Sequence, residues 1–193
     1  MVTKSRTYAR PKLRAEKRPP KPLDARRLND LALHYVARFA TSAAKLADYL
    51  RRKLRERGWE GEGEPDVAAL TANFVAAGYI DDAAYARAKS GALLRRGFGA
   101  RRVGQVLNAA GIAEETRAEV RASDAAQRRA ALALAMKRRF GPFGPPPADR
   151  AAREKQVAAM LRAGHPLDFV RALLSAPDEQ AAQDWAGEAN EDE

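Results

Sequence analysis

Arginine is the residue type with the most chemistry to offer in this chain. Arg51, Arg52 and Arg55 fall in one stretch with Lys53 and Arg57. Arg95, Arg96, Arg101 and Arg102 bracket a Gly97-Phe98-Gly99 turn. A planar guanidinium grips two oxygens of a phosphate or carboxylate at once. Clusters of this kind therefore suit binding to nucleic acid or to an acidic protein surface. Reaction chemistry is poorly supplied. The chain has no cysteine and only two histidines, His34 and His165, so thiolate metal sites, disulfides, cysteine nucleophiles and His-rich metal sites are excluded. Gly97-Phe98-Gly99 lacks the Lys-Ser/Thr that closes a nucleotide-binding loop. Asp81-Asp82 reads as a helix N-cap rather than a catalytic carboxylate pair. No catalytic residue, metal or cofactor is expected, and the chain reads as a binding protein rather than an enzyme.

The charge is unevenly spread. The chain has 193 residues and a net charge of +10. Residues 1–27 carry +8, residues 28–175 carry +9 and residues 176–193 carry −7. The N-terminal stretch is rich in proline and poor in large apolar residues, and the C-terminal stretch is acidic. Both are expected to be disordered tails, although Trp185 is an unusual residue to leave in water. The basic tail suits either a nucleic-acid arm or a solubilising leader, and the acidic tail is expected to be solvated, with folding back on the basic face as the sharper alternative. No apolar run reaches membrane-spanning length and no signal peptide is evident, so a cytoplasmic chain without membrane contact is expected.

The elements that position the arginines are helices throughout. Of the 193 residues 43 are alanine, and β-branched alternation is absent. The pattern predicts helices over 28–39, 42–57 and 65–77, then 81–96, 100–110 and 113–122, then 124–139, 149–163 and 166–175. Leu31, Tyr35, Phe39, Phe74, Val75, Leu107, Met136 and Met160 are among the residues expected to face inward. Tyr79, Tyr85 and Phe98 are read as packing residues too. Arg51, Arg52 and Arg55 should face solvent.

Helix-stopping glycines stand at 58, 111 and 164, at equal spacing. Each is followed by a bulky residue (Trp59, Ile112, His165) and preceded four back by an apolar one (Leu54, Leu107, Met160). This is the signature of three tandem three-helix repeats, expected at 28–80, 81–122 and 123–175 and forming an elongated, curved, all-α array.

The segments His34-Tyr35, Leu50-Arg51-Arg52-Lys53-Leu54, Gly78-Tyr79-Ile80-Asp81-Asp82, Arg96-Gly97-Phe98-Gly99 and Gly111-Ile112 together resemble the RecX family of bacterial recombinase regulators. The resemblance covers about three quarters of the chain, and the third repeat fits only in outline. It implies a non-enzymatic protein that binds the RecA recombinase filament on single-stranded DNA, and the chain is expected to be monomeric. The resemblance also implies restraint of RecA's ATPase, strand-exchange and co-protease activities in DNA repair and the SOS response. Partner or DNA contact, with single-stranded and then double-stranded DNA as candidates, is expected at Arg51, Arg52, Arg55, Arg95, Arg96, Arg101 and Arg102. The alternative is a stand-alone DNA-binding protein built from helix-turn-helix-like modules, with Gln105 and Asn108 as a weak base-reading set.

Overall fold

A computed structural model describes residues 21–188, and within them the regular elements are α-helices, with a single 3-10 turn at Gly141–Phe143. The first repeat is α1 (Ala25–Arg38), α2 (Ala43–Arg57) and α3 (Val67–Ala76). The second is α4 (Asp82–Arg95), α5 (Ala100–Ala109) and α6 (Glu114–Glu119). The third is α7 (Asp124–Arg138), α8 (Arg150–Arg162) and α9 (Leu167–Leu174), and α10 (Glu179–Gly187) follows. Starts are set by polar caps. The side chains of Asp24, Ser42, Asp66, Asp81, Ser123, Asp149 and Asp178 each accept a hydrogen bond from a first-turn backbone N–H. The three stop glycines all have positive φ, 78° at Gly58, 70° at Gly111 and 96° at Gly164, and at Gly58 a ψ of 172° carries the chain straight into extended backbone. Ile112 N–H donates to Leu107 and His165 N–H to Met160, closing the helix ends in the six-to-one pattern.

Each repeat encloses its own core. Leu28, Leu46, Leu50, Val67, Phe74 and Ile80 form the first; Ala86, Leu93, Val103, Leu107 and Ile112 the second; Ala131, Ala135, Met160, Val170 and Leu173 the third. Alanine is core material here, because helix faces lined with it approach closely. That choice displaces several larger residues expected inside. Phe39 ends α1 as its C-cap and is 49% exposed. Val75 and Met136 are also exposed on their helices, and Tyr79 is exposed in the loop after α3, where its ring lies 5.5 Å from that of Phe74. Phe98 is half-buried beside the second core, and Pro65 stands just before the Asp66 cap of α3 rather than in its first turn.

The tails need correction where they are described. Leu23, within the stretch expected to be disordered, is fully buried. Its N–H donates to the Gly58 carbonyl and its carbonyl accepts from Glu60 N–H, a parallel bridge beside Trp59. Burying one leucine is worth about 2 kcal/mol, enough to hold a short segment against the core. Residues 1–20 lie outside the described residues. At the other end, α10 packs on α7 with Ala182 and Ala186 buried. Trp185 meets Phe169 edge to face at 5.5 Å, and the Arg128 guanidinium lies 5.2 Å from its centroid while donating to the Trp185 carbonyl. Asp178 caps this helix and Glu188 lies 4.0 Å from Arg128, so acids counted as tail charge have structural tasks. Residues 189–193, and with them the rest of the expected acidic tail, lie outside the described residues.

The repeats join by one device used twice. At the first joint the start of α2 meets the stop of α5. Ser42 Oγ donates to the Ala110 carbonyl at 2.6 Å, and Ala43 N–H donates to Asp82 at 2.9 Å. A Cβ on Gly111 would collide with that of Ala44. At the second joint the start of α5 meets the stop of α8. Gly99 N–H donates to the Ala163 carbonyl at 2.9 Å, and Arg101 N–H to the Gly164 carbonyl at 3.3 Å. A Cβ on Gly164 would collide with the Arg102 backbone, and one on Gly99 with that of Gly164. His165 completes this joint. It is buried, and its Nε2–H donates to the Gly97 carbonyl at 3.0 Å. Burial pushes its pKa below the ordinary histidine value, partly offset by that bond.

Two outcomes follow from these joints. Gly111→Ala and Gly164→Ala should each cost about 2–4 kcal/mol, from left-handed strain plus overpacking. Gly58→Ala has open space around its Cβ position, but φ of 78° with ψ of 172° is backbone that essentially glycine alone adopts, so it should cost about 1–3 kcal/mol of strain with no overpacking; urea unfolding of the three variants measures each loss. For His165, a lowered folded-state pKa means the unfolded chain binds the proton first as pH falls. Its contribution is therefore complete above the unfolded value of about 6.5 and is lost below it. Unfolding between about pH 7.5 and pH 5 should show a loss of stability in the parent chain that shrinks in His165→Gln.

Candidate functional site

The first basic cluster lies on the outer face of α2, because Leu46, Leu50 and Leu54 turn the opposite face into the core. Arg51, Arg52 and Arg55 are all exposed. Two of the three already have carboxylate neighbours: Arg51 pairs with Asp48 at 3.3 Å and Arg52 with Glu56 at 2.7 Å, while Lys53 reaches Glu56 at 2.6 Å. These two cations hold the Glu56 carboxyl below the usual carboxylate range. Arg52 and Arg55 line an open cleft of about 790 Å³ between α1 and α2, with His34, Arg38 and Lys45. Tyr35 and Tyr49 stack on its wall at 4.2 Å, and Arg52 lies 5.5 Å from the Tyr49 ring.

The second cluster lies at the joint between the second and third repeats, and the structure divides it. Arg95, Arg96, Arg101 and Arg102 are exposed. Arg101 and Arg102 stand on the first turn of α5, and Arg102 donates to Gln105 at 3.3 Å. Arg95 folds back along α4 beside Gly91. Of the four, Arg96 lines a cleft of about 480 Å³ at the seam, with its guanidinium 5.4 Å from the Phe98 ring. Lys137, Arg138 and Arg162 of the third repeat complete that cleft, beside Phe98 and Phe140. No carboxylate lines it, and among the described residues none pairs with its four cations. Sequence reasoning missed Lys137, Arg138 and Arg162. The available signal was that Lys137 and Arg138 close one helix and Arg162 ends another just before a stop glycine.

The seven sequence-chosen arginines do not share one cleft. Arg52 and Arg55 share the cleft of the first repeat, Arg96 lies at the far seam, and the others stand on helix faces between or beside them. A helix-turn-helix reader would present the N-terminal residues of its second helix to base edges. Here the backbone at the starts of α2 and α5 is docked against the next repeat, and Gly99 is buried. Gln105 is already engaged by Arg102. Among the described residues no group of three or more His, Cys, Asp or Glu is placed to hold a metal ion, and no helix is long and apolar enough to cross a membrane.

No family model matches the chain. It is similar to the regulatory protein RecX of Myxococcus xanthus, 32% identical over 172 residues that cover 84% of this chain and 91% of that protein. It is also similar to the regulatory protein RecX of Agrobacterium fabrum, 29% identical over 154 residues that cover 78% of this chain and 83% of that one. Among solved structures, RecX from Lactobacillus salivarius has the same fold, with a TM-score of 0.57 at 17% identity over 76% of this chain and 91% of that one. With start-to-stop docking of three helical units and relatedness at this identity across so much of both sequences, the chain belongs to the RecX family.

Proposed function

We propose that the protein regulates the RecA recombinase by binding its filament on single-stranded DNA, in the cytoplasm, as a non-enzymatic partner. The effect is mainly restraint of ATP hydrolysis, strand exchange and co-protease activity. The observation that carries this reading is relatedness to proteins named as RecX regulators over 84% of the chain, more than any single repeat could supply. The architecture supports it. Backbone hydrogen bonds and glycine contacts fix one repeat against the next, so cations on separate repeats keep set distances. A partner that itself repeats along an axis can be met at two places by such an array. Two-point attachment raises the effective concentration at the second point without any new contact. Neighbouring recombinase protomers bridged in this way would be held in one filament geometry, which slows any cycle that needs them to move.

The reading gives a direct test. The fourfold variant Arg95→Glu, Arg96→Glu, Arg101→Glu, Arg102→Glu changes exposed side chains only. Exposed charge contacts are worth about 0.2–1 kcal/mol each, so the concentration needed to inhibit RecA-driven ATP hydrolysis should rise by about tenfold or more. Co-sedimentation with RecA filaments should weaken in parallel, measured against naked single-stranded DNA as a control. Inhibition that survives the fourfold change would show that this face is not the one used.

A further inference from the structure

The seam cleft between the second and third repeats is a strongly charged feature of which the family reading assigns only Arg96, leaving Lys137, Arg138 and Arg162 without a role. Each of its cations, taken alone, has an ordinary explanation. Arg96 is the C-cap of α4, Lys137 and Arg138 close α7, and Arg162 closes α8. A cation at a helix C-terminus is favoured by the macrodipole. Their convergence has no such explanation. Three helix ends from two repeats aim four cations into about 480 Å³ with no lining carboxylate. Like charges gathered in one recess repel each other, and a bound anion removes that cost. The first-repeat cleft differs, since Asp48 is in its lining and Glu56 neutralises Arg52.

The recess also has rings. Phe98 and Phe140 line it, one from each repeat, and Arg96 lies over Phe98. Aromatic rings beside guanidinium groups form the surface on which an unpaired base stacks while its phosphate is gripped. A duplex holds its bases inside and would offer only backbone to a recess of this size. We infer that the seam cleft binds single-stranded nucleic acid directly, with phosphodiester groups on Arg96, Lys137, Arg138 and Arg162 and a base against the rings. Because its donors come from both repeats, an occupied cleft ties the two together across the joint that His165 closes. This goes beyond the RecA reading and is tested without recombinase, so either can fail while the other stands.

The experiment is fluorescence anisotropy of a labelled oligothymidylate with the full chain. In the double variant Lys137→Glu, Arg138→Glu, affinity at low salt should fall about tenfold or more. The dependence of log K on log salt should flatten by about 1.4, for two lost phosphate contacts on a single strand. Arg87→Glu with Lys155→Glu makes the same change in net charge on exposed residues outside the cleft, and should lose much less. Lys137→Gln with Arg138→Gln should fall in between, and circular dichroism checks that each variant is folded. Equal losses in the seam and control variants would overturn the inference, because only net charge would matter. So would displacement of the oligonucleotide by polyglutamate or by ATP at matched charge, or by duplex of the same length, as readily as by unlabelled single strand.

Discussion

The start of one helix set against the glycine stop of another is the contact on which this molecule depends. A helix stop leaves carbonyls without partners, and a helix start leaves N–H groups without partners. The joints place the two deficits face to face. Ser42 Oγ reaches the carbonyl of Ala110, and Gly99 N–H reaches that of Ala163. These acceptors each precede a stop glycine, so one position in the repeat is served by a side chain in one joint and by backbone in the next. Glycine is required for two independent reasons, the left-handed turn and the absence of a Cβ where the neighbour arrives, the Ala44 Cβ at Gly111 and the Arg102 backbone at Gly164. The exposed basic clusters are carried on helices whose mutual positions are set here.

The joints also decide how the charge is displayed. Helices that meet end to end bring their terminal residues together, and their C-terminal turns are rich in arginine and lysine. The result is a seam where cations accumulate without acids, while the middle of α2 pairs its cations with Asp48 and Glu56 along one helix. Charge near the joints is thus open to an external anion, and charge along α2 is partly answered within the protein.

Much of the fold was legible in the sequence, and the reasons are local. Caps such as Asp81 and the three stop glycines are short-range signals, and helix existence and order follow from them. The failures are non-local. Alanine at 43 positions hides the core, because Ala131 and Ala135 bury fully while Met136 beside them does not. Composition marked the C-terminal segment as an acidic tail, yet Ala182, Trp185 and Ala186 share a helical face that reaches the third core. The site suffered most. Arginines adjacent in sequence were grouped together, whereas the seam joins Arg96 to Lys137, Arg138 and Arg162 across a repeat boundary. No periodicity within one helix reveals a meeting of three helix ends.

An array that grows by docking starts onto stops has unlike ends, and any exposed stop invites another unit. Addition of a second copy there would be head to tail and would not close on itself, which is the geometry of an open fibre. In this chain the stop at Gly58 is flanked by Leu23, whose backbone takes up the donor and acceptor of the 58–60 segment while its side chain fills the gap beside Trp59. Arg27, in the first turn of α1, adds an ion pair to Glu60 on the same edge. The Leu23 bridge thus occupies the Gly58 carbonyl and the Glu60 N–H beside the first repeat's stop, where the other two stops receive a helix start of a neighbouring repeat.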